Sequence, residues 1–201
     1  MELADAAARR HMVRSFSGAP PHPEALDRIL RLALRAPSAG NTGGWDAVVL
    51  EGPDQTERFW AATTTDDWRR RSARWPGLRR APVVVVLFAD PAAYLQRYRQ
   101  PDKAASGLGD DDAAWPVPYW HVDTGMAALL LLLGAVDADL AACFLGNFRG
   151  EGDLRLALGV PEDRRYLGAV LVGEAGEDDV PTVSSLRRRR SPEEVFHRGA
   201  W

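Results

Sequence analysis

"APVVVVLFAD", residues 81–90, decides the fold. Four valines, Leu87 and Phe88 follow one another without polar alternation, so both faces of this strand must be covered. "YLGAVLVGEA", residues 166–175, reads as a second buried strand. "WDAVVLEG", residues 45–52, reads as a third that ends at a Gly-Pro pair. "DLAACFLGNF", residues 139–148, reads as a short strand or an extended turn.

Helical periodicity fills the gaps between these runs. Leu26, Ile29, Leu30, Ala33 and Leu34 make one apolar stripe over residues 24–36, opened by Pro23 and stopped by Pro37. Residues 3–10 predict a short helix, and residues 55–74 a longer one with Phe59 and Trp60 inward and an Arg-rich end. A helix follows from Pro91. Residues 121–136 are apolar nearly all round, so they are buried, either within the chain or between subunits. Residues 153–163 predict a short helix closed by Gly159 and Pro161. Strands and helices do not alternate regularly, which points to an α+β sheet covered by helices rather than a doubly wound fold. No repeat or composition break divides the chain, so residues 1–201 are expected to form one domain. Residues 101–118, with three Pro among Gly, Asp and Ser, read as a long excursion, and residues 176–201 as a polar, Arg-rich tail.

Composition excludes several classes. A 46% hydrophobic fraction in 201 residues supplies a real core. A net charge of −3 gives no global attraction to nucleic acid or acidic membranes. Cys143 is the only cysteine, which rules out an intrachain disulfide and a cysteine metal cluster, and its apolar context reads as an inert buried thiol. The start "MELADAAARR" has no apolar signal core, and the apolar run at 125–136 is too short to cross a bilayer. A soluble, cytoplasmic protein is expected.

Three clusters could carry chemistry. "RRHMVRSF", residues 9–16, places Arg9, Arg10, His11 and Arg14 just after a helix. "SSLRRRRSPEEV", residues 184–195, holds four consecutive arginines. Arginines brought together repel one another unless an anion lies among them, and the guanidinium matches phosphate with a rigid two-pronged donor. Each cluster is therefore either a solvated basic stretch or half of a phosphate site. Between them, "APSAGNTGGW", residues 36–45, is a loop of small residues. It is either a tight connection or a place where backbone approaches a flat ligand, with Asn41 able to bond a polar edge.

The order of these segments resembles the FMN-dependent nitroreductase family. That family begins with an Arg-rich stretch ending in Arg-x-Phe, followed by Ala-Pro-Ser-x-x-Asn before an aromatic residue. The helix "DTGMAALLLLLGAV", the turn "FLGNF", the segment "LGVPED", the strand "YLGAVLVGEA" and the ending "RRRSPEEV" continue the likeness over nearly the whole chain. The resemblance implies a central, mainly antiparallel sheet flanked by helices in an intertwined homodimer, with FMN at the subunit interface. It implies that Arg10, His11, Met12 and Arg14 grip phosphate and ribityl from one subunit, with Arg188 and Arg190 joining from the tail. Pro37, Ser38, Ala39 and Asn41 would pack on the flavin from the other subunit, and Leu145 and Gly146 would lie near its N5. Hydride from NADH or NADPH would reach a nitroaromatic, quinone or related acceptor by a ping-pong route. No triad, no dedicated acid or base and no metal are implied, because the cofactor carries the chemistry.

The chain departs from the family pattern in places. Met12 stands where many relatives have Ser, and Gly43-Gly44 where Gln-Pro is common. Arg70, Arg71 and Arg74 are candidates for a cation near the flavin O2, or solvated helix charges. Residues 101–120 are either a lid, with Trp115, Tyr119 and Trp120 lining a substrate pocket, or core. The tail at 176–201 would wrap a partner subunit or fray. Three other outcomes stay open: the same fold performing flavin fragmentation, dehalogenation or azoline oxidation; a non-catalytic flavin store; and nucleic-acid contact through the arginines.

Overall fold

The computed structural model describes residues 1–71, 76–147 and 149–201. The chain runs α1 (Leu3–Arg9), α2 (Pro23–Ala33), β1 (Trp45–Glu51), α3 (Gly52–Thr63), α4 (Asp66–Arg71), β2 (Val83–Ala89), α5 (Pro91–Tyr98), α6 (Tyr119–Asp137), β3 (Ala141–Leu145), α7 (Glu151–Leu158) and β4 (Arg165–Gly173). The strands form one sheet in the order β1-β2-β4-β3, with every pairing antiparallel.

Period-two alternation divides β2 between two cores. Val84, Val86 and Phe88 point with Cys143 and Leu171 to one face, where Phe59 and Trp60 of α3 and Leu154 of α7 cover them. Val83, Val85 and Leu87 point with Val170 and Val172 to the other, covered by Ile29 of α2 and Leu131 and Ala135 of α6. Both cores are lined by buried apolar side chains, so a polar residue on either face of β2 would lack a partner. An unalternating apolar strand is the habit of parallel sheets. Here it arises in an antiparallel one because helices lie on both sides.

α6 is the central helix of its layer. Nineteen residues at about 1.5 Å each would be long enough to span a bilayer. Ala128, Leu131, Leu132 and Ala135 are instead buried against the sheet and α2. Gly134 lets α2 approach closely, since a Cβ there would stand 3.1 Å from the Leu32 side chain.

Several boundaries differ from the sequence expectation. α2 ends at Ala33 rather than 36, so Leu34 leaves the stripe and is 70% exposed. Gly52 and Pro53 do not merely end β1; they open α3 at once, with Gly52 at φ +75° and its N–H donating to Pro82 O. Within the described residues the expected helix over 55–74 is two helices, and residues 72–74 lie outside them. The break falls at Thr64 and Thr65, where Thr64 turns to extended backbone. The segment 139–148 resolves into β3 over Ala141–Leu145.

The excursion from 101 folds back on α5. The Trp115 ring meets Tyr98 at 4.7 Å edge-on, and its indole N–H donates to Leu108 O at 2.8 Å. Arg99 Nε donates to Gly109 O at 2.7 Å.

Candidate functional site

The two ends of the chain meet. Residues 13–17 run extended beside the edge of the sheet: Val13 N–H donates to Ala142 O, Ser17 N–H to Glu174 O, and Phe16 bridges Ala175. The tail then doubles back over this segment. Asp179 Oδ1 accepts the N–H groups of Arg14 at 2.8 Å and Ser15 at 3.0 Å. Asp178 Oδ1 accepts the Ser15 hydroxyl at 2.5 Å and the Arg80 guanidinium at 2.6 Å.

This meeting forms an open cavity of about 780 Å³. Arg10, His11, Met12 and Arg14 line it from the start of the chain, and Arg187 and Arg189 from the tail, with Thr182, Ser184 and Ser185 adding hydroxyls. One carboxylate, Asp179, also lines it, and its Oδ1 is engaged by backbone N–H groups. Four arginines against one aspartate among the lining residues give a cationic excess, the residue set that a phosphate dianion suits.

Register in the tail separates its four arginines. Arg188 makes a two-pronged bond to the Glu194 carboxylate at 2.6 and 2.9 Å, and Arg190 donates to Glu194 O. Glu194 in turn closes a capping box with Ser191. In extended backbone neighbouring residues face opposite ways, so the odd-numbered pair faces the cavity while the even-numbered pair faces the cap.

Met12 also contacts β3. It lines the basic cavity, and its sulfur accepts Phe144 N–H at 3.3 Å. The next residues, Leu145 and Gly146, line a space of about 410 Å³ with Trp60, Trp68, Thr63 to Thr65, Leu78, Asn147 and Arg149. Trp60 and Trp68 stack there, 6.3 Å apart and 15° from parallel. Of the expected O2 cations, Arg70 is exposed on α4, and Arg74 and the Arg71 side chain lie outside the described residues.

The small-residue loop is elsewhere. None of Pro37, Ser38, Ala39 and Asn41 lines either cavity. Pro37 and Asn41 are exposed, Ser38 and Ala39 half-buried. The loop is nonetheless well held. Ser38 Oγ accepts Gly43 N–H at 2.8 Å, Thr42 donates to Ala39 O at 2.6 Å, and Arg97 Nε donates to Gly40 O at 2.8 Å. Two of its glycines answer to packing within the chain. A Cβ on Gly44 would stand 2.5 Å from the Tyr94 ring, and one on Gly40, at φ +63°, 3.0 Å from Tyr98.

Trp115 and Trp120 are buried with Tyr94 in a third apolar cluster, while Tyr119 is 42% exposed. Residues that the linear pattern did not single out are Asp179, Arg187, Arg189 and the pair Tyr94 and Asp123. A run of identical arginines carries no register signal, and the last pair is brought together only by tertiary packing.

Comparison with known proteins shows the family of the chain. A family model described as the Nitroreductase family matches residues 7–174. An NADH dehydrogenase of Thermus thermophilus is 28% identical over 200 residues, covering 90% of this chain and 91% of that protein. An iodotyrosine deiodinase of Nematostella vectensis is 22% identical over 206 residues, covering 94% of this chain and 71% of its own length. A candidate nitroreductase from Exiguobacterium sibiricum, crystallised in complex with FMN, superposes with a TM-score of 0.72 at 16% identity, over 98% of this chain and 97% of its own.

Proposed function

Because the chain belongs to the nitroreductase family, we propose that this oxidoreductase uses FMN to pass hydride from NADH or NADPH to a nitroaromatic, quinone or related small acceptor. The observation that carries the reading is the basic cavity built from both ends of the chain. The donor set fits the group: Arg10, Arg14, Arg187 and Arg189 would hold the phosphate, and the hydroxyls of Thr182, Ser184 and Ser185 the ribityl chain. The FMN complex of the Exiguobacterium protein and the nicotinamide named for the Thermus relative support the same cofactors. When bound, the flavin supplies hydride transfer. The protein's own share is to orient and to exclude water. Leu145 and Gly146 would present backbone to the reactive edge, and the stacked Trp60 and Trp68 would wall the acceptor space beside it.

A second copy of the chain completes this site. Tyr119, Val122, Met126 and Leu129 of α6 expose an apolar stripe at helical spacing, 37% to 48% open each, which supports a homodimer. Loop 37–41 of one copy would then cover the flavin of the other, with residues 176–201 reaching across.

A flavin absorption band in the purified or FMN-supplemented protein, bleached by NADH or NADPH without oxygen, is the expected result. A protein that takes up no FMN overturns the reading, and one that binds FMN but resists both nicotinamides is a flavin store. The deiodinase relative favours one alternative chemistry, reductive removal of halide from a halophenol. Turnover of an iodophenol but not of a nitroaromatic or quinone would select it.

A further inference from the structure

We infer that the buried Asp123, held by Tyr94, is a positioning residue that sets the conformation of the 38–43 loop against the flavin ring; this rests on the reading above that the loop covers that ring. Asp123 lies on α6, only 3% exposed. Its Oδ2 accepts two hydrogen bonds, from the Tyr94 hydroxyl at 2.7 Å and from Ala39 N–H at 2.8 Å. A carboxylate at such depth is costly unless its donors are fixed. Here one donor is a side chain of α5 and the other the backbone of the loop.

The loop needs such an anchor. Gly40 at φ +63° and Asn41 at φ +53° place two successive residues in the left-handed region. Glycine enters that region freely, but Asn41 holds it at a small cost that its surroundings must offset. Asp123 holds the loop just before these residues, and Arg97, paired to Asp102 at 2.7 and 2.8 Å, holds Gly40 O in their midst. Tyr94 has two duties: its hydroxyl steadies the carboxylate, and its ring presses on Gly44 at the far end of the loop. Removing the carboxylate leaves Ala39 N–H and the Tyr94 hydroxyl proton without their acceptor, while Asn in its place can offer one oxygen to both.

The test uses Asp123→Ala, Asp123→Asn and Tyr94→Phe in the full chain, each read without and with FMN. Without FMN, amide exchange at residues 39–43 is expected to accelerate about tenfold in Asp123→Ala, the scale of one buried bond left unmade. It should accelerate less in Tyr94→Phe and return to near wild type in Asp123→Asn. With FMN, Asp123→Ala should shift the flavin absorption band and raise the FMN Kd, whereas Arg189→Ala should raise Kd without moving the band. Wild-type exchange at 39–43 in both Asp123→Ala and Tyr94→Phe overturns the clamp. If Asp123→Ala does not fold, Tyr94→Phe against Asp123→Asn decides. Accelerated exchange in a protein whose wild type binds no FMN keeps the clamp on the loop and overturns its role at a flavin.

Discussion

The Tyr94 ring occupies the space that a side chain on Gly44 would need: a Cβ there would stand 2.5 Å from Cε2 and 2.9 Å from Cδ2. The loop is therefore small partly because α5 packs on it from inside. Gly44→Ala is expected to cost about 1–3 kcal/mol through overpacking of the ring. Gly43→Ala meets nothing within 4 Å, but its φ of +61° should cost about 1–2 kcal/mol in backbone strain. Urea unfolding of both variants checks this, and a Gly44→Ala protein as stable as wild type would contradict the ring's position.

The tail arginines make a sharper discrimination. Arg189 lines the basic cavity and Arg190 bonds Glu194 O. Arg189→Ala should weaken FMN binding about 10- to 100-fold, the scale of one or two bonds to a charged group. Arg190→Ala should change it far less. Titration followed by flavin fluorescence measures both, and the reverse order would show that the tail shifts register when the ligand enters.

The anchor of the tail responds to acid. The Ser15 hydroxyl, then the adjoining backbone and Arg80, hold the Asp178 carboxyl below its ordinary value of 3.8. A group with a depressed folded pKa stabilises fully above its unfolded value, and that stability is lost as pH falls through the lower, folded value. Amide exchange at Gly176, whose N–H donates to Ser15 O, should therefore stay slow down to about pH 4 and accelerate below it, after correction for intrinsic rate. Asp178→Ala should exchange fast at every pH.

Cys143 is fully buried in β3, and burial pushes its thiol up to about 11. At pH 8 the folded protein should therefore resist a thiol reagent such as DTNB, and denaturant should release one reactive thiol per chain. Prompt labelling of the native protein would place the residue at an opening that the packing does not contain.

Much of the architecture was legible in the linear pattern. The unbroken apolar run of Val83–Ala89 announced a strand covered on both faces, and the pairing of Leu26 with Ile29 and Ala33 announced the inward side of α2. Phe59 and Trp60 turn inward as expected. The meeting of the two basic segments was legible only as a possibility, and Arg10, His11, Met12 and Arg14 do line one cavity with residues of the tail. Leu34 and the break at Thr64 were not legible, because helix ends depend on local competition among capping, strain and neighbours.

What the sequence by itself determined is which segments are apolar enough to form the core and which carry charge, because hydrophobic periodicity and arginine density are local quantities. Tertiary structure alone decided which partner each polar group meets. Asp123 lies 29 residues from Tyr94 and 84 from Ala39, and only the packing of α6 against α5 makes them neighbours. The choice of Arg187 and Arg189 over Arg188 and Arg190 likewise turned on where Glu194 folds back. A hydrogen bond depends on ångström-scale positions of two distant groups, and no one-dimensional pattern records that distance.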